Sequence, residues 1–173
     1  MTSTMIESKS IELLNEFGLF KAPVNVVKLA EKIGITIEEQ DLDDGVSGFL
    51  VRKDGADIIG VNKYHPEVRK RFTISHEIGH FKLHVEVPLF VDYYKGSKLN
   101  RKNAGGNYRL EKQANTFAAC LLMPKRLILD ELAKLDEELE YELKLYSLSK
   151  KFIVSKEAMD YRLKALGLYD YGF

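Results

Sequence analysis

The stretch HEIGHFKLH, from His76 to His84, carries three of the four histidines in the chain. His76 and His80 stand four residues apart, close to the ~3.6 residues of one helical turn, so on a helix both imidazoles leave from one face and can reach one ion. Imidazole nitrogen at ~2.0–2.1 Å suits Zn²⁺, which accepts nitrogen and carboxylate ligands without a d-electron preference. Glu77 sits ~100° around the same helix. It is poorly placed to share the ion but can reach a water beside it, the position of a general base in H-E-x-x-H chemistry. Gly79 fits this reading, because a glycine inside a helix costs ~1 kcal/mol relative to alanine and calls for a reason such as close approach of another backbone. A structural helix with incidental imidazoles is the plainer account. It fits poorly with a match that falls mid-helix in a chain so sparing with histidine.

A catalytic zinc takes three protein ligands and leaves one position for water. His84 lies two turns past His76, ~12 Å along the axis, out of reach of the same ion; it is expected to support the site from outside or simply to pack. His65 precedes the helix. A carboxylate is the better third ligand. Glu111 opens a second amphipathic helix and shares a face with Ala114, Asn115, Ala118 and Leu122, whose small alanines would let that helix come close. Glu86, just past the histidines, is the competitor. Asn115, one turn beyond Glu111, is a candidate partner for a ligand or a plain packing residue.

The elements that must hold these residues are legible in outline. SIELLNEFGLF reads as a short helix stopped by Gly18. In APVNVVKLAEKIG, Pro23 sits near the start, Val26, Val27, Ala30 and Ile33 form one face, and Gly34 is the stop. ITIEE looks like a strand. VSGFLVRKDGADIIGVN is a hairpin about Asp54-Gly55, and Pro66 suits the first turn of a long helix running to about His84. From Pro88 to Tyr108 periodicity disappears, and KGSKLNRKNAGGN predicts a long exposed loop. YRLEKQANTFAACLLMP resumes the helical period until Pro124. The tail LYSLSKKFIVSKEAMDYRLKALGL predicts two helices around a tight turn at Ile153-Val154-Ser155, with Ser155 as N-cap and Gly167 as the end.

RFTISHEIGHFKLH followed by RLEKQANTFAACLLMP resembles the paired motifs of the ImmA/IrrE metallopeptidase family, and the likeness runs from about Ala22 to Leu168. The second motif, E-x-x-A-N-x-F-A-x-x-L-L-M-P, implies that its leading glutamate, here Glu111, is the third zinc ligand. The resemblance implies an α+β, zincin-like fold: a small antiparallel sheet packed on the HExxH helix and a second ligand-bearing helix, with a C-terminal helix-turn-helix-like segment. It implies one Zn²⁺ on His76, His80 and Glu111, with Glu77 as the catalytic base. The substrate it implies is a helix-turn-helix repressor, cut to release genes of mobile elements, phage or a stress response. Tyr93, Tyr94, Tyr108 and His65 are candidates for stabilising the oxyanion.

Composition frames these expectations. At 173 residues the chain fits residues 1–125 as a metallopeptidase domain and 126–173 as a C-terminal helical segment. Lys+Arg and Asp+Glu balance at 26 each, so no basic surplus argues for nucleic acid. The one cysteine, Cys120, has no partner for a bridge, and neither a leader-like N-terminus nor a membrane-length apolar run is present. A cytoplasmic setting follows as an expectation. The alternative function is a non-catalytic regulator that binds a repressor or DNA, with zinc only structural.

Overall fold

A computed structural model describes residues 1–53, 55–86, 89–93 and 108–168 of the chain. The hairpin about residues 54–55 forms: strand β2 (Val46–Lys53) runs antiparallel to β3 (Ala56–Asn62), with Gly55 at a φ of 82° that favours glycine. Strand β1 (Ile35–Gln40) follows helices α1 (Ser3–Glu16) and α2 (Val26–Lys32). β1 pairs with β3 in parallel, and β4 (Leu89–Tyr93) adds antiparallel to β2, giving the order β1-β3-β2-β4. The sheet is therefore mixed, not antiparallel as expected.

The reason lies at the end of β3. The link from β1 to β2 crosses that end, and buried Asn62 holds it there. Its side-chain amide donates to the carbonyls of Leu42 at 3.2 Å, Asp43 at 3.4 Å and Val46 at 3.0 Å. With β3 wedged between them, β1 and β2 never meet, and the chain direction makes the β1–β3 pair parallel. β4 also departs from the expectation of a loop from Pro88 to Tyr108. Residues 88 and 94–107 of that expected loop lie outside the described residues.

Helix α3 (Glu67–Leu83) covers the sheet, and α4 (Tyr108–Leu122) packs against α3. The in-facing residues Leu50, Ile59 and Val61 join Ile74 and Ile78 of α3 and Phe117 and Leu121 of α4 in one buried core. α1 closes over α4 with Ile6, Leu13 and Leu14. It begins earlier than the apolar pattern suggests, where the Thr2 side chain caps it by accepting from the Met5 N–H at 3.4 Å; Ser10, which interrupts the stripe, is fully buried and donates to the Glu7 carbonyl at 2.8 Å. In α2 the buried face is Val26, Leu29 and Ala30, while Val27 is 44% exposed.

Helices α5 (Lys125–Leu132), α6 (Tyr141–Phe152) and α7 (Lys156–Leu166) complete the described elements. Ser155 caps α7 by accepting from the Ala158 N–H at 3.1 Å, and Gly167 ends it at a φ of 69°. The division expected at residue 125 falls between α4 and α5. Arg162 of α7 reaches across it to the Met123 carbonyl at 3.0 Å and to Glu7 at 2.6 Å. From α3, Arg71 donates to the carbonyls of Phe152 and Ile153 at 3.3 and 3.2 Å.

Gly79 sits where α3 and α4 touch. A Cβ there would lie 3.2 Å from Cα of Ala114 and 3.2 Å from Cβ of Phe117, so the close approach anticipated for this glycine is real. Gly79→Val should cost ~1–3 kcal/mol through overpacking. Urea unfolding of the metal-free protein should show a lower midpoint at unchanged slope; a midpoint equal to the parent's would mean that α4 retreats freely.

Candidate metal centre

From Thr73 to His80 every residue of α3 is buried, His76, Glu77 and His80 included. The helical repeat brings the two imidazoles together with ring centroids 4.6 Å apart at 72°. Their Nε2 atoms are 3.0 Å apart. The Glu111 carboxylate, one turn into α4, spans both: Oε2 lies 3.2 Å from His76 Nε2 and Oε1 3.3 Å from His80 Nε2. The ligand atoms of His76, His80 and Glu111 all fall within 4.8 Å of one another, close enough to hold a metal ion. Two nitrogens bound tetrahedrally at ~2.0–2.1 Å stand about 3.3 Å apart, so the 3.0 Å between the two imidazole nitrogens is close to the spacing that one ion needs. The histidine side is closed, whereas the Glu111 side chain is 36% exposed, which leaves access from that direction.

Burial, above all, pushes the His80 imidazole down to about 4, so at neutral pH it holds the uncharged form that a metal needs. Burial alone would raise Glu111, but without a metal the hydrogen bonds from the facing His76 and His80 rings outweigh it and hold the carboxyl at about 2.

The atoms behind the ligands are also engaged. Nδ1 of His76 lies 3.1 Å from Oδ1 of Asn115, so Asn115 does more than pack. Nδ1 of His80 lies 3.0 Å from Nδ1 of His84, whose Nε2 is 3.0 Å from Oε1 of Gln113. His84 is buried and stands outside the ligand cluster, as its spacing predicted. Glu86 is exposed and outside the cluster too.

Two residues were not foreseen. Arg52 of β2 donates to four carbonyls at the end of α3: His80 at 3.2 Å, Phe81 at 2.7 Å, His84 at 3.0 Å and Val85 at 2.7 Å. It thereby satisfies orphan carbonyls and places a cation at the negative end of the helix. Strand alternation held the signal, since Arg52 shares the inward parity of Gly48 and Leu50. Gln113 carried no signal, because nothing in its spacing marks it.

Of the four oxyanion candidates, His65 stands beyond the start of α3, at least ~13 Å along the axis from His76, and drops out. Tyr108 is one turn before Glu111 and 74% exposed. Tyr94 and the side chain of Tyr93 lie outside the described residues. Cys120 is buried, and that burial pushes its thiol up to about 11, which leaves it protonated and unreactive. A separate cleft of about 390 Å³ between α2, β1 and α3 is lined by Val24, Ile37, Lys70 and Arg71, among others, and shares no residue with the metal cluster. The possible metal ligands converge at the cluster and not at this cleft. Among the described residues no helix is long and apolar enough to cross a membrane.

The IrrE N-terminal-like domain, a peptidase family, matches residues 30–164. A solved structure of a Mycobacterium tuberculosis transcriptional regulator superposes with a TM-score of 0.64 at 16% identity, over 92% of this chain and 46% of that one. At that identity the likeness is one of fold, and the chain spans about half of the regulator's length. No curated protein matches the chain by sequence.

A metal at the cluster should stabilise the fold by mass action. With free divalent ion at about 100 times its dissociation constant, the unfolding free energy should rise by about 2.7 kcal/mol. Glu111→Ala should abolish most of that gain in a thermal melt, and chelation should reverse it in the parent. An equal gain in the variant would place the ion elsewhere.

Proposed function

The chain belongs to the peptidase family of the IrrE N-terminal-like domain, and on that premise we propose that it is a zinc-dependent endopeptidase that cuts a helix-turn-helix repressor in the cytoplasm. One observation carries the reading: His76, His80 and Glu111 converge at 3.0–3.3 Å with Glu77 beside His76 on the same helix. When bound there, zinc supplies a Lewis acid for the scissile carbonyl and lowers the pKa of a water towards ~7. The remaining work falls to the protein. Glu77 accepts the proton of the attacking water and passes it to the leaving amine. Asn115 and His84 hold the two imidazoles, and the half-open side at Glu111 admits the peptide. Tyr108, exposed and one turn before Glu111, is the oxyanion donor of this reading.

A DNA-binding regulator with a structural zinc is less well supported. The cations on the second helix of the C-terminal hairpin are already used: Lys156 pairs with Glu142 at 2.7 Å, Lys164 with Asp160 at 2.7 Å, and Arg162 is buried against Glu7. A net charge of zero adds no electrostatic footprint. A structural site would also have no use for Glu77.

Glu77→Gln is nearly isosteric. It should keep the fold and one zinc per chain yet slow cleavage of the cognate repressor by about 10²–10⁴-fold, the usual worth of a general base. Undiminished cleavage would show that another group takes the proton. In gel shifts the chain should show no salt-sensitive binding to duplex DNA; such binding would favour the regulator.

A further inference from the structure

We propose that His84, the third histidine of HEIGHFKLH, is a positioning residue that fixes the tautomer of His80 and passes the constraint to Gln113. The inference rests on the zinc reading of the His76–His80–Glu111 cluster. It follows from counting protons along one line of nitrogens and oxygens.

His80 has its Nε2 on the ligand side, 3.0 Å from Nε2 of His76 and 3.3 Å from Oε1 of Glu111. A nitrogen that ligates carries a lone pair and no hydrogen, so the single proton of the neutral ring sits on Nδ1. That Nδ1 lies 3.0 Å from Nδ1 of His84. Since His80 donates, His84 must accept there, and its own proton moves to Nε2. Nε2 of His84 lies 3.0 Å from Oε1 of Gln113, an oxygen that can only accept. Each contact then has one donor and one acceptor: His80 Nδ1–H to His84 Nδ1, and His84 Nε2–H to Gln113 Oε1. The other tautomer of His84 would set N–H against N–H at the first contact and two lone pairs at the second.

His84 is held where this works. It is the residue that ends α3, and it is 7% exposed. Its N–H donates to the His80 carbonyl at 2.9 Å, and its own carbonyl accepts from Arg52 at 3.0 Å. The Gln113 amide nitrogen turns outward to the Met1 carbonyl at 3.5 Å, which leaves Oε1 facing the ring. The two ligand histidines are thus secured to the same helix by side-chain amides of α4. His76 reaches Asn115 directly, and His80 reaches Gln113 through the ring of His84. Partners of this kind fix ring orientation, and losing one typically costs 10–100-fold in metal affinity.

The test needs no substrate. In zinc-loaded protein labelled with ¹⁵N-histidine, NMR should show the proton of His80 on Nδ1 and that of His84 on Nε2. His84→Phe keeps a ring in the buried space but removes the acceptor; by chelator competition its zinc dissociation constant should rise about 10–100-fold. His84→Asn offers Oδ1 near the lost Nδ1 and should recover most of that loss. A proton on Nδ1 of His84, full affinity in His84→Phe, or equal weakening in both variants overturns the assignment. The parent spectrum decides even if a variant fails to fold. A parent chain that takes up no zinc overturns the metal reading and this one together, whereas zinc uptake with His84 protonated on Nδ1 overturns the role of His84 alone.

Discussion

The molecule is built around a polar segment that it buries on all sides. Between Thr73 and His80, α3 brings two imidazoles, a carboxylate and two hydroxyls into the interior. Such groups are costly to bury unless they meet partners, and for the two imidazoles the neighbouring side chains supply them. Gly79 gives up helix propensity so that α4 can lie against α3 at Ala114 and Phe117. That approach is what lets Glu111 reach both Nε2 atoms and Asn115 reach the back of His76. From the sheet, Arg52 gathers the last carbonyls of α3 and so ties the end of the helix, with His80 and His84, to β2.

The electrostatics follow from the same burial. Neutral His80 and ionised Glu111 are the protonation states that suit a divalent cation. Their opposite exposures have a use, since the closed imidazoles hold geometry while the carboxylate faces the open side. Glu77 is fully buried beside them, away from bulk solvent.

Much of this was legible because helices repeat. Spacing alone put His76, His80 and Glu77 on their faces, removed His84 from the ion, and explained Gly79 by a neighbour not yet located. Glu111 needed the second motif, because periodicity gives a face but no distance. The sheet was harder. A strand pattern shows which residues face inward but not which strand becomes the neighbour, and nothing in the spacing marked Asn62, which ties the β1–β2 link to the end of β3. β4 escaped notice because its five residues open a stretch with no lasting alternation. Arg52 obeyed strand parity yet looked like a surface cation, and Gln113 matters only through a rotamer.

The C-terminal hairpin fits the same logic better than it fits DNA recognition. Its turn places Ile153, a β-branched residue, in the left-handed region at a φ of 52°, a conformation that costs ~1–2 kcal/mol outside glycine. A turn under no other demand would favour glycine or asparagine there. At this turn, however, the carbonyls of Phe152 and Ile153 accept from Arg71 of α3, whose other bond reaches the Val24 carbonyl at 2.9 Å. One guanidinium thus joins the segment before α2, the helix that carries His76 and His80, and the hairpin turn. Phe152, Met159 and Leu163 bury the hairpin against the same core, and Arg162 ties it to the end of the second motif at Met123. The strained turn is accepted because it braces the forward half of α3, as Arg52 braces the end, so the helix bearing His76 and His80 is held from both directions.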